Sequence, residues 1–396
     1  MSMKLTSITT PITHDLLFGA LEAERTDIGL IPHRLPSWAR AQCDEAQFLM
    51  AEAQPSGVRV AFQTSATTVE LDVLATKRDY VGMPRRPAGV YDLRVNGRLE
   101  RQESVSNGRI LRINMATGTT AIEPGKPQTL CFTDLPAGMK TVDIWLPHDE
   151  ATELITLRSD APIAPIAATG KPVWLHHGSS ISQGSNAASP TGIWPVIAAD
   201  RAGMELVNLG FSGNALLDPF VARAIRDTPA DFISLKIGIN LVNTDLMRLR
   251  AFGAAVHGFL DTIREGHPTT PLLVVSSVFC PIHETIPGPS QANLSALRRG
   301  RLLFQAGGNA EEVRQGKLTL TVIRDRLRAI VERRSQSDDN IHYLDGLELY
   351  GEADNARLPL PDELHPDAET HRLMGERFAD LVFSSDRFTG RKQLRR

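Results

Sequence analysis

Cysteine is scarce in this chain: Cys43, Cys131 and Cys280 stand far apart in 396 residues, and their number is odd. That pattern points neither to a disulfide framework nor to a zinc knuckle. Neither sign of charge dominates, since 43 Lys and Arg against 46 Asp and Glu leave a net charge of −3. Nucleic acid is therefore not expected as a partner. Long apolar runs are missing too, so no membrane span is expected. Residues 1–8 lack the apolar core and small-residue cleavage site of a secretory signal, and a cytoplasmic location is the expectation. The Gly-x-Ser-x-Gly elbow, the Gly-x-Gly-x-x-Gly fingerprint and the Walker motif are all absent. Their absence disfavours an α/β-hydrolase elbow and the usual nucleotide-binding turns.

What is present has an ordinary globular composition, 42% apolar and 22% charged. Its length suggests two domains. Residues up to about 55 are mixed, with Pro32, Pro36 and a short amphipathic piece over 37–50. Beyond them the period becomes two. Val58, Val60 and Phe62, then Val69, Leu71 and Val73, then Tyr91, Leu93 and Val95 alternate with more polar neighbours. Leu111, Ile113 and Met115, and Val142, Ile144 and Leu146, repeat the pattern, while Asn96-Gly97 and Asn107-Gly108 read as hairpin turns. Half-buried antiparallel strands of this kind predict a β-sandwich, jelly-roll-like, over residues 1–165.

Residues 161–170 are rich in Pro and Ala without a charge and read as a linker. After them strand and helix patterns alternate, as a parallel sheet with crossover helices requires. Apolar strands at 173–175, 207–209, 234–239, 271–276 and 341–344, with helices within 192–203 and 218–227 and another from about Thr244, predict an α/β domain over 171–388. A flavodoxin-like three-layer fold is the expectation. Between Phe279 and Leu318 lies a long insertion rich in Pro, Gly and Arg, read as a wall of a pocket. The basic tail Arg391–Arg396 reads as a solvated end.

Four short blocks in the second half carry chemistry. His177-Gly178-Ser179-Ser180 follows the first apolar strand and sets hydroxyls at its C-terminal end, the edge where open α/β sheets hold ligands. Phe211-Ser212-Gly213-Asn214 ends the next strand in glycine, whose backbone N–H is unencumbered. Ile237-Gly238-Ile239-Asn240 ends a third strand in a side-chain amide. Asp362-Glu363-Leu364-His365 places a carboxylate three residues before a histidine. Each block has a plainer reading by itself. Asp362 could cap a helix with Pro366 in its first turn, Asn240 could cap the helix near Thr244, and Gly213 could be a turn glycine. His176 and His177 read as a strand residue and a pocket-rim residue, and Ser179, Ser182 and Ser212 as turn or cap hydroxyls.

In this order the blocks resemble those of the SGNH, or GDSL-type, hydrolase family over roughly residues 171 to 385. The resemblance implies Ser180 as nucleophile, His365 as base and Asp362 as its orienter. The Ser180 N–H, the Gly213 N–H and the Asn240 amide would form the oxyanion hole. The family's first block usually reads Gly-Asp-Ser, and here Ser179 stands in the Asp place; the Gly-Ser-Ser-Ile version resembles a sub-branch. Ester hydrolysis needs an activated hydroxyl, a proton acceptor titrating near neutrality and donors aimed at the oxyanion, and these residues are of the right types. No cofactor and no metal are implied. The partner is a small-molecule ester, and homo-oligomerisation is left open. Resemblance to two-domain members suggests removal of a short acyl group, acetyl above all, from a carbohydrate or polar metabolite. A lipid acylhydrolase or thioesterase with the same residues, and a carbohydrate-binding protein with a degenerate hydrolase domain, are the alternatives.

Overall fold

Val60 and Phe62, Leu93 and Val95, and Val142 and Ile144 are all buried, each pair on one face of its strand. Their strands, Arg59–Thr64, Val90–Val95 and Lys140–Trp145, pair antiparallel in one sheet. Val69–Tyr80, Gln128–Phe132 and Ala151–Ser159 pair antiparallel in a second sheet. Apolar side chains of both sheets form one core, including Val60, Phe62, Leu71, Val73, Leu130 and Leu157. This is a β-sandwich. The computed structural model describes residues 7–83, 85–114, 117–166, 170–385 and 388. Met115 and the basic tail lie outside the described residues.

Chain contacts divide the protein into two units. The first comprises Met1–Pro36, Glu52–Gly170 and Ser189–Thr191, and the second Ser37–Ala51, Lys171–Ala188 and Gly192–Arg396. A single cut near residue 165 therefore misplaces Ser37–Ala51. The reason is packing: Phe48, 2% exposed, sets its ring tilted 5.1 Å from Phe211 and edge-on 5.3 Å from Phe220. Arg223 adds a bond to Gln42 and lies 6.0 Å over the Trp38 ring.

Asn96 and Gly97, with φ of 50° and 80°, join Val90–Val95 to Arg98–Ser104 in a two-residue turn, and positive φ at both places suits that turn. Asn107-Gly108 is not a hairpin. Arg98–Ser104 belongs to one sheet and Arg109–Asn114 to the other, so this turn crosses between sheets. Arg109–Asn114 consequently lies parallel to Val69–Tyr80, where an antiparallel pair was expected, because the connection between them runs through the other sheet. Part of the expected linker is also a strand: Ile163–Pro165 pairs with Phe62–Thr64 at a sheet edge, a position that tolerates proline. Residues 167–169 lie outside the described residues.

In the second unit five strands run parallel. Their spatial order is Glu205–Gly210, Val173–Gly178, Phe232–Lys236, Leu272–Val275 and Ile341–Leu344, the 2-1-3-4-5 order of flavodoxin-like folds. Their residues are almost all buried, as strands covered on both faces must be. Helix Ala368–Phe378 packs on Trp194–Ala202, and Pro219–Asp227 on Leu249–Gly266. The helix expected from Thr244 begins at Leu249. Residues Ile239–Asn243 form their own short helix, closed by Thr244 bonding the Asn240 carbonyl and by Asp245 at a φ of 49°. Among the described residues no helix is long and apolar enough to cross a membrane.

One buried acid in the sandwich gives the first unit a pH dependence. Glu150 is 4% exposed, and burial pushes its carboxyl up to about 7 from an ordinary 4.5, against the N–H of Gly89, which donates to it at 2.7 Å. The folded state thus holds this proton more tightly than the unfolded chain, so stability is full below about 4.5 and falls as pH rises through about 7. Glu150→Gln is expected to remove a loss on the order of 3 kcal/mol at pH 8 and to change little at pH 4, which urea titrations at the two pH values would measure.

Candidate active site

The strand Val173–Gly178 lies between its two parallel neighbours, so the loops that follow all three meet at one C-terminal edge. Ser180, Gly213 and Asn240 are on those loops. Ser180 opens a four-residue helical turn, Ser180–Gln183, whose cap is Ser179: the Ser179 hydroxyl accepts from the Ile181 N–H. The residue that replaces the family's usual Asp is thus a helix cap, a role in which Ser and Asp are near equals. The turn sits hard against its strand, because a Cβ on Gly178 would lie 2.3 Å from the Ser182 hydroxyl.

His365 reaches Ser180 from the far end of the chain. Its Nε2 is 3.0 Å from Ser180 Oγ, and its Nδ1 is 2.8 Å from Asp362 Oδ2. Asp362 Oδ1 accepts the N–H of Leu364 at 3.0 Å and of His365 at 2.6 Å, so one carboxylate holds both the ring and the backbone of the histidine. Folding the chain back this tightly puts Glu363 at a φ of 68°, a left-handed conformation that non-glycine residues rarely take. Burial works to raise the Asp362 carboxyl, but the bond and charge of His365 and the two N–H groups outweigh it and hold it below the usual range. The helix-cap reading of Asp362 falls to another residue: Asp367 caps Ala368–Phe378 by accepting from Thr370.

Three donors on these loops are unspent. Among the described residues no acceptor takes the N–H of Ser180 or of Gly213, or the amide NH2 of Asn240. Asn240 Oδ1 accepts from the Ala215 N–H at 3.0 Å, which fixes which end of its amide is free and ties its loop to that of Gly213. The Gly213 loop is joined to the nucleophile turn by Phe211 N–H to the Gly178 carbonyl and Ser212 N–H to Gln183 Oε1, both 2.8 Å. Gly213 has a φ of 78°, and a Cβ there would stand 2.6 Å from Gln47 Nε2. That Gln47 would lie beside Gly213 was not anticipated; the only hint was the amphipathic stretch 37–50.

Beneath the site lies a buried polar row. Trp174 Nε1–H donates to Ser234 Oγ at 2.8 Å, His176 Nδ1 is 2.7 Å from the same hydroxyl, and His176 Nε2 is 2.8 Å from Ser182 Oγ. The row is satisfied when Ser234 donates to Nδ1 and the Nε2–H of a neutral ring donates to Ser182. Burial, with His177 and Lys236 nearby, lowers the imidazole well below its ordinary value and keeps it neutral. His177 is not a rim residue: it is 1% exposed, bonds the Leu209 carbonyl at 2.7 Å and lies against Phe211 and Phe259. The insertion after Phe279 also reaches the row. Its strands Ser290–Ala292 and Phe304–Ala306 form a hairpin, and the Phe304 N–H bonds the Asp362 carbonyl while its ring meets the His365 ring edge-on at 5.8 Å. No three His, Cys, Asp or Glu side chains among the described residues gather to hold a metal ion.

A 2-1-3-4-5 parallel sheet with a serine, a histidine and an aspartate in hydrogen-bonded line at its C-terminal edge is the build of an SGNH-type hydrolase. Comparison with known proteins agrees. Residues 170–293 match the model of the GDSL-like lipase/acylhydrolase family, and residues 16–154 match that of the SsfX3 N-terminal domain. The solved structure of the salicylyl-acyltransferase SsfX3 from a tetracycline biosynthetic pathway is similar over 94% of this chain and 95% of that one, with 29% identity and a TM-score of 0.77. A GDSL-like lipase from Bacteroides ovatus ATCC 8483 covers 96% and 97%, with 17% identity and a TM-score of 0.68. A family two carbohydrate esterase from Clostridium thermocellum covers 83% and 92%, with 13% identity and a TM-score of 0.56. No curated protein sequence matches. The chain carries a GDSL-like lipase/acylhydrolase domain after an N-terminal domain of the SsfX3 type.

The buried row makes a stability prediction. Ser182→Ala leaves the His176 Nε2–H without its acceptor in a fully buried place, and the expected loss is about 1–3 kcal/mol in a urea titration at pH 7. A variant as stable as the parent would show that the row contributes nothing.

Proposed function

We propose that this protein is a serine esterase that removes a short acyl group, acetyl above all, from a carbohydrate or another small polar metabolite through an acyl-enzyme. The observation that carries the reading is the line Ser180 Oγ, His365 Nε2 and Nδ1, Asp362 Oδ2, at 3.0 and 2.8 Å. His365 takes the Ser180 proton as Oγ attacks the ester carbonyl, and Asp362, kept ionised, steadies the imidazolium. The carbonyl oxygen gains charge among the Ser180 and Gly213 N–H groups and the Asn240 amide. Among the described residues no acceptor takes those N–H groups or that NH2, so they need no rearrangement as the charge develops. Collapse expels the alcohol, which takes the proton from His365, and water then repeats the sequence to release the acid. The primary amide of Gln47 beside Gly213 supports a short or polar acyl group over a fatty one. An unspent donor set and an aligned triad count against a purely binding role.

Ser180→Ala is expected to lower kcat by roughly 10⁴- to 10⁶-fold on p-nitrophenyl acetate, and Asn240→Ala by about 10²- to 10³-fold with KM little changed. A fluorophosphonate should label Ser180 alone; labelling at Ser179, Ser182 or Ser212 would overturn the assignment.

A second reading is acyl transfer to an alcohol instead of water. It rests on the 29% identity with an acyltransferase over nearly the whole chain. Both readings share the acyl-enzyme and differ in what resolves it. Adding an alcohol acceptor during turnover of an activated ester separates them: a hydrolase yields the free acid at an unchanged rate, whereas a transferase diverts most product into the new ester.

A further inference from the structure

Gln47 stands 133 residues before Ser180 in the chain, ahead of the strands of the sandwich, yet it belongs to the same unit as the triad. It lies on the short helix Ala46–Glu52. Phe48, the next residue, anchors that helix by packing on Phe211, two residues before Gly213, and on Phe220. The anchor leaves Gln47 facing solvent with its carboxamide over Gly213, so close that a Cβ on that glycine would be 2.6 Å from Nε2. Among the described residues the Gln47 side chain makes no hydrogen bond or ion pair, and its exposure means that it contributes nothing to the core. An amide donor is thus held by a buried aromatic beside one of the three oxyanion donors, with no acceptor among the described residues.

We infer that Gln47 is a substrate-contacting residue, a fourth hydrogen-bond donor on the oxyanion side of the site that meets the acyl portion of the ester. The inference rests on the reading of Ser180 as nucleophile and Gly213 as oxyanion donor. It also gives the segment 37–51 a purpose that its sequence does not announce. A single neutral hydrogen bond made in the transition state corresponds to a 3- to 10-fold effect on rate. A carboxylate in the same place would oppose the developing negative charge.

The test uses the full-length protein with p-nitrophenyl acetate, comparing Gln47→Ala and Gln47→Glu with the parent between pH 5 and 8. Gln47→Ala is expected to lower kcat/KM about 3- to 10-fold with an unchanged Tm, as an exposed residue allows. Gln47→Glu is expected to fall at least a further tenfold at pH 8, and its rate relative to the parent should rise toward pH 5 as the carboxyl takes up a proton. Taking the ratio to the parent cancels the titration of the base, which all three proteins share. Two outcomes overturn the inference: both variants within twofold of the parent across the range, or both lowered equally with a ratio that does not vary with pH. If Ser180→Ala retains the parent rate, it is the acyl-enzyme reading that fails, whatever the Gln47 variants do.

Discussion

A single 3.0 Å contact between Ser180 Oγ and His365 Nε2 joins residues 185 positions apart, and the second unit is arranged so that it can form. Strand order places the Ser180 turn at the sheet's C-terminal edge after the second of five strands, with the Gly213 and Asn240 loops following the strands on either side. The histidine arrives after the last strand and is held by one carboxylate at ring and backbone together. That grip requires the left-handed turn at Glu363, a local cost of order 1–3 kcal/mol that the surrounding bonds offset. A base positioned by a flexible loop would lose most of its effect, since proximity serves catalysis only in a defined geometry.

Polar groups on the two sides of Ser180 obey opposite rules. Below it the Trp174, Ser234, His176 and Ser182 row is closed, and His177 bonds a neighbouring strand's carbonyl. Above it the backbone N–H groups of Ser180 and Gly213 and the Asn240 amide have none among the described residues. Satisfied groups make the floor rigid, and unsatisfied ones keep their hydrogen-bonding capacity for the charge that appears only during reaction. The Ser179 cap belongs to the floor. It completes the Ser180–Gln183 helical turn without a carboxylate.

The two units differ in how openly their sequences speak. In the sandwich the period-two pattern located strands such as Lys140–Trp145, along which buried and half-buried residues alternate. It did not say which strands pair, and so the parallel partner of Val69–Tyr80, the crossing at Asn107-Gly108 and the edge strand at 163–165 came only with the structure. In the second unit short apolar strands ending in Gly, Ser or Asn marked the active edge, since those residue types are what a tight turn facing a ligand demands. Lengths of helices were less legible: Asn240 lies inside a five-residue helix and not before a long one.

By itself, then, the order of residues determined that a serine, a glycine and an asparagine would follow successive strands of one α/β domain with an Asp-x-x-His pair near its end, because short-range turn chemistry and hydrophobic period are written locally. Only the tertiary structure decided the distances within that set, the closed polar row under it, and the entry of Phe304 from the insertion beside His365. It alone decided that residues 37–51 leave the sandwich for the catalytic unit. The physical reason is that Phe48 is buried by aromatic partners more than 160 positions away, and nothing in a window of neighbouring residues records which distant surface an apolar side chain will cover.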